Sequence, residues 1–163
     1  MSVVHLTTHS VDETRNLGAA FATLLPPGTV VVLSGGLGAG KTAFAQGMAK
    51  GLGVTERVTS PTFTLLATHE ASGRNGIHSF LHADLYRVSS GAEVEDLAIG
   101  ELVEDGAVAA VEWGDLAPDV FGPNRVVVEL SLGKADDDRQ ISMTSDVIDL
   151  ERFATAPNEG AAS

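Results

Sequence analysis

Gly35-Gly36-Leu37-Gly38-Ala39-Gly40-Lys41-Thr42 decides the fold of this chain. The stretch fits the phosphate-binding loop pattern: a glycine, four residues, then Gly-Lys-Thr. Thr29-Val30-Val31-Val32-Leu33 runs into it, apolar and β-branched, and reads as a buried strand. Ala43 to Ala49 leaves it with the composition of a helix. Strand, glycine loop and helix in this order are the context that the pattern requires.

The residue types explain the chemistry expected there. Glycines let successive backbone N–H groups wrap around one anion, where side chains would block the approach. The following helix adds the partial positive charge of its N-terminus. Lys41 is the mobile cation for the β- and γ-phosphates, and the Thr42 hydroxyl is a candidate Mg²⁺ ligand. The expected ligands are therefore ATP and Mg²⁺. The contacts to the nucleotide are expected from Gly35, Gly36, Leu37, Gly38, Ala39, Gly40, Lys41, Thr42 and Ala43.

Outside the loop, composition narrows the possibilities. A chain of 163 residues, 44% hydrophobic and 20% charged, is sized for one domain with a real core. It has no cysteine, which excludes disulfides and thiolate zinc sites. The five histidines show no metal-ligand spacing. No apolar run approaches the ~20 residues of a membrane span. The N-terminus lacks a basic segment followed by an apolar one, so a cytoplasmic location is expected. A net charge of −12 argues against direct nucleic-acid binding, which relies on basic side chains meeting phosphates. Between Arg87 and Arg125 there is no Lys or Arg but nine acids, Glu93, Glu95, Asp96, Glu101, Glu104, Asp105, Glu112, Asp115 and Asp119. That run reads either as a solvated acidic face or as a docking surface for a basic partner.

In chain order, Val3 to Thr7 predicts a first strand, and Ser10-Val11-Asp12-Glu13 a capping box. The helix it opens carries Leu17, Ala20, Phe21 and Leu24 on one face and stops at Pro26-Pro27. Gly51 and Gly53 are expected to close the helix after the glycine loop. Phe63 to His69 and Ile77 to Ala83 predict a hairpin across residues 71–76. Glu93 to Glu104 predicts a weak helix broken at Gly100, and Ala107 to Val111 a buried strand. Val126 to Leu132 and Gln140 to Thr144 predict a closing hairpin. The fold expected is α/β, a single-domain P-loop NTPase with a mixed central sheet flanked by helices. The domain spans 1–153, and residues 154–163 read as a frayed tail.

Three further clusters bear on the chemistry. Ser60-Pro61-Thr62 follows the second helix, where phosphate-loop proteins often sense the γ-phosphate; an ordinary loop is the plainer reading. His82-Ala83-Asp84-Leu85-Tyr86-Arg87 ends an apolar strand, so Asp84 either holds Mg²⁺ or caps the next turn. Ala109-Ala110-Val111-Glu112-Trp113 places a second acid at a strand end, where open α/β sheets bind ligands. Glu112 there either completes the metal shell or positions the attacking water, the plainer reading being a surface glutamate at a strand end.

Taken together, the phosphate loop, Ser-Pro-Thr-Phe-Thr-Leu, His-x-Asp-Leu-Tyr-Arg and Val-Glu-Trp resemble the TsaE (YjeE) family from about Thr14 to Trp113. The resemblance implies a small bacterial ATPase needed for threonylcarbamoyladenosine (t6A) at position 37 of tRNA. It implies that the chain supports turnover of a TsaB–TsaD pair and meets tRNA only through that complex, with no membrane involved. On the matching positions it makes Lys41 and Thr42 the phosphate and Mg²⁺ residues and Ser60 to Thr62 a switch. Asp84 and Glu112 become the metal acids, with Glu112, Thr62 and Lys41 catalytic. It directs the adenine towards Ser10, Val11 and Arg139. Family members usually carry Asp or Glu where this chain has Gly36. The rival is a small-molecule kinase on the same loop. It is disfavoured by seven arginines scattered singly and by the lack of a lid-sized insertion.

Overall fold

In a computed structural model, the apolar run before the glycine loop forms the middle of the sheet. The structure describes residues 2–59, 66–85, 99–112, 121, 124–146 and 148–151. The Ser60-Pro61-Thr62 switch, Tyr86-Arg87, Trp113, the tail 154–163 and the acids Glu93, Glu95, Asp96, Asp115 and Asp119 lie outside the described residues.

The β2 strand (Val30–Ser34) buries Val30, Val31, Val32 and Leu33 almost completely. A strand is apolar on both faces only where both faces are covered. Val31 and Leu33 pack with Phe21 and Ala22 of α1 (Val11–Ala22) and with Phe44, Ala45 and Met48 of α2 (Lys41–Gly51). Val30 and Val32 pack on the other face with Ile99 and Val103 of α3 (Ile99–Glu104). Each such side chain contributes about 1.5–3 kcal/mol on burial.

Around β2 the sheet has the order β1-β7-β6-β2-β5-β4-β3. Its other members are β1 (Ser2–Thr8), β3 (Leu66–Glu70), β4 (Ser79–Asp84), β5 (Val108–Glu112), β6 (Arg125–Leu132) and β7 (Arg139–Ser145). The strands β6, β2, β5 and β4 run parallel, while β1, β7 and β3 pair antiparallel to their neighbours. The sheet is therefore mixed, and the α/β expectation holds. The parallel direction brings the C-terminal ends of β2, β4 and β5 to one edge. Glu112 pairs in register with both Leu33 and Asp84 there.

The first two helices touch through glycines. A Cβ on Gly47 would lie 1.9 Å from the Arg15 carbonyl oxygen, and one on Gly18 2.4 Å from that of Phe44. Gly51 is likewise packed on Ala19, so it belongs to the body of α2. Gly53 alone, at φ +79°, turns the chain away after the helix, which corrects the expectation that both glycines close it. Leu24 is 40% exposed, because α1 ends before it; Ala22 and Leu25 take the buried positions instead. Gly100 is the second residue of α3, and the part of the expected helix before Ile99 lies outside the described residues.

Candidate functional site

Three glycines with positive φ, Gly35, Gly38 and Gly40, shape the loop that joins β2 to α2. Gly35 has φ +149°, and a Cβ there would stand 2.3 Å from the Leu130 carbonyl oxygen on β6. Gly40, at φ +104°, is the residue from which α2 starts, and no side chain caps that start. The first N–H groups of α2 therefore face the loop without a side-chain acceptor. By contrast, Gly36 has open space around its Cβ position. The acidic residue usual at that point in the resembled family would fit there without moving the backbone.

Lys41 is buried, and its ammonium reaches back into the loop. Nζ donates to the carbonyls of Gly35 at 2.6 Å and Gly36 at 3.0 Å. These bonds compensate the cost of placing a charged amine at 6% exposure. They also hold the cation at the mouth of the loop.

The next residue of α2 points the other way. Thr42 Oγ1 donates to Glu112 Oε1 at 3.0 Å, joining the start of α2 to the end of β5. The strand period of two explains why Glu112 is available: Val108 and Ala110 point to the α1–α2 face of the sheet, and Glu112 continues their row. On β4 the same period sets Phe80, His82 and Asp84 in one row. His82 Nε2 contacts the second carboxylate oxygen, Glu112 Oε2. Glu112 is 3% exposed and His82 fully buried, so this carboxylate is held between a hydroxyl and an imidazole. Asp84 is also buried and stands opposite Glu112 in the sheet. Glu112 is thus buried against Thr42 and His82, as its strand-end reading expects, whereas Glu101, Glu104 and Asp105 of the acidic run are exposed.

This donor set suits Mg²⁺. The ion prefers hard oxygen ligands and is usually held by one or two carboxylates together with substrate phosphates. Thr42, Glu112 and Asp84 offer such oxygens beside the loop. Among the described residues no three His, Asp or Glu side chains converge into a metal cage.

Of the residues expected around the adenine, Arg139 reaches the loop. Arg139 donates from Nη2 to the Gly38 carbonyl at 3.2 Å and from Nη1 to those of Asp136 and Asp138. Asp138 lies 2.9 Å from His9 Nδ1, next to the Ser10 cap. Asp138 holds the His9 imidazole above its usual pKa by hydrogen bond and charge, and His9 in turn holds the Asp138 carboxyl below its own. Ser10 Oγ accepts from the Glu13 N–H at 3.0 Å, while the Glu13 carboxylate takes the N–H of His9. Val11 begins α1 and is half-exposed. A groove of about 480 Å³ borders Gly35 and Gly36 and runs past His5, Glu129 and Gln140, but takes in neither Lys41 nor Glu112.

Sequence reasoning passed over His82. It lies in the quoted His-x-Asp segment, yet a lone histidine in an apolar strand reads as core; the signal was its even spacing from Asp84, which puts both on one face.

Comparisons with known proteins bear on the family and the fold. A family model described as "Threonylcarbamoyl adenosine biosynthesis protein TsaE" matches residues 8–141. The tRNA threonylcarbamoyladenosine biosynthesis protein TsaE of Treponema pallidum is 38% identical over 136 residues, covering 83% of this chain and 96% of that protein. The protein of the same description from Bacillus subtilis is 36% identical, covering 85% and 83%. Among solved structures, the crystal structure of Bacillus subtilis YdiB superposes with a TM-score of 0.71 at 28% identity, over 99% of this chain and 95% of that one.

Proposed function

The chain belongs to the TsaE family of t6A biosynthesis, and from that premise we propose that it is a Mg²⁺-dependent ATPase supporting turnover of a TsaB–TsaD pair. The observation that carries the reading is the 3.0 Å bond from Thr42 to Glu112, made beside a loop that already holds Lys41. Phosphate-loop hydrolases need those three groups around the terminal phosphates.

In this reading Lys41 leaves the carbonyls of Gly35 and Gly36 for the β- and γ-phosphates, and the N–H groups at the start of α2 bind phosphate oxygens. Mg²⁺, when bound, neutralises charge on the phosphates. Thr42, Asp84 and Glu112 are the residues that would hold it. Glu112 also orients the attacking water, and Arg139, Ser10 and Val11 border the base. Ser60 and Thr62 form the switch that senses the γ-phosphate. No arginine in the sequence stands in a motif that would make it a finger in cis, so the lone chain turns over slowly. The partner pair orders the switch. The work is cytoplasmic, and tRNA is met through the complex.

A phosphate-release assay tests this. Slow release by the chain alone, marked stimulation by a TsaB–TsaD pair, and loss of that stimulation in Thr62→Ala are expected. Release at an ordinary enzyme rate, of order 10 s⁻¹, and indifferent to partners would count against it. Phosphate appearing instead on a small acceptor would make the protein a kinase.

A further inference from the structure

We propose that His82 is the positioning residue for Glu112, holding Oε2 through an Nε2–H bond so that Oε1 is presented to Thr42 and to the Mg²⁺ site. The inference rests on the Mg·nucleotide reading of that site for its last step; the contact itself is a feature of the chain alone.

Three observations converge. First, the His82 ring is wholly buried, and its Nδ1 has no hydrogen-bond partner among the described residues. An Nδ1–H would be a buried donor with no acceptor among the described residues, whereas a proton on Nε2 meets Glu112, which favours the Nε2–H tautomer. Second, the lone Nδ1 is a cost that an apolar side chain of similar size would not carry. The contact of Nε2 with Glu112 is the polar interaction that offsets this cost. Third, the two oxygens of Glu112 take different partners, Thr42 on Oε1 and His82 on Oε2. The terminal torsion of a glutamate is broad and close to two-fold. One bond would leave the carboxylate free to swing, and two on separate oxygens fix its plane. Imidazoles and carboxylates just behind metal ligands commonly set metal affinity in this way, by a factor of 10–100.

The test compares side chains that differ in reach. In His82→Gln the amide NH₂ extends about as far as Nε2, whereas in His82→Asn it stops near Nδ1. Mn²⁺ serves as the probe, its binding to the protein·ADP complex followed by electron paramagnetic resonance, with metal-free ADP binding as the control. We expect His82→Asn to weaken Mn²⁺ binding by about 10–100-fold while metal-free ADP binding is unchanged, and His82→Gln to stay within a few-fold of the wild type. In a Glu112→Gln background the Asn and Gln variants should no longer differ. Equal Mn²⁺ affinity in the two variants, whether normal or weakened, would overturn the inference.

A second measurement uses the unloaded wild-type protein. The ¹⁵N spectrum of His82 should show Nε2 protonated and Nδ1 bare, with Nε2 shifting in Glu112→Gln. A proton on Nδ1 would overturn the proposal even if His82→Asn fails to fold. If the wild type takes up no Mn²⁺ with nucleotide, the Mg·nucleotide reading fails, and the ¹⁵N result still decides the His82 contact separately.

Discussion

Lys41 shows how one side chain can serve two states. Its ammonium is held by two carbonyls of its own loop, and in the proposed function the same reach would cover the β- and γ-phosphates. The exchange costs little, because the lysine leaves carbonyl dipoles for full charges. Lys41→Ala should therefore weaken ATP binding by roughly 10–100-fold, the equivalent of one lost charge-assisted bond of about 1.5–3 kcal/mol. Calorimetry with ATP reads it directly, and unchanged affinity would remove Lys41 from the site. At this scale much was legible in the sequence, since the loop spacing dictates where Lys41 and Thr42 stand. Glu112 was legible as an acid at a strand end. Its bond to Thr42 was not, because the two residues are brought together only by the pairing of β2 with β5. His82 was hidden for a different reason: burial and chemistry predict the same residue pattern on an apolar strand.

Between elements, the decisive contact is the crossing of α1 over α2. The backbones meet so closely at Gly18, Gly47 and Gly51 that no side chain fits. Since α2 starts at Lys41 and Thr42, the depth of this crossing sets where the phosphate loop ends in space. In Gly47→Ala the new methyl would overlap the Arg15 carbonyl, which is backbone and cannot swing aside. Destabilisation of about 1–3 kcal/mol or more is expected from such overpacking, read as a lower urea midpoint. Weaker nucleotide binding should accompany it in the folded fraction. A urea midpoint equal to the wild type's would show that the helices have room to spare. The elements themselves were mostly readable from apolar period and turn residues. The glycines of α2 were misread in part, because a glycine that ends a helix and one that admits a neighbour look alike until the neighbour is known.

Across the whole molecule, the His9–Asp138 pair ties the turn after the first strand to the turn of the last hairpin. With the pKa of His9 raised, its contribution to stability is full below the ordinary histidine pKa and is lost as pH rises through the raised one. With that of Asp138 lowered, its contribution is present above the ordinary carboxylate pKa and is lost as pH falls through the lowered one. The pair is thus intact between those two limits. An NMR titration of the His9 ring should give a midpoint above the usual histidine value, and Asp138→Asn should bring it down; a midpoint indifferent to Asp138→Asn would exclude the pair in solution. The partner of β1 could not be read from the sequence, since strand period gives faces and not neighbours. In the structure Ser2 pairs with Ser145 and Thr8 with Arg139. On the ribosome, then, β1 is made well before β7 and is among the last of the described strands to be paired. It must wait, with its edge unmatched, until almost all of the described chain has emerged. The phosphate loop is synthesised early but lacks Arg139 and the Leu130 backbone until the same moment. Nascent chains are therefore expected to gain nucleotide binding and protease resistance together, once β7 has emerged.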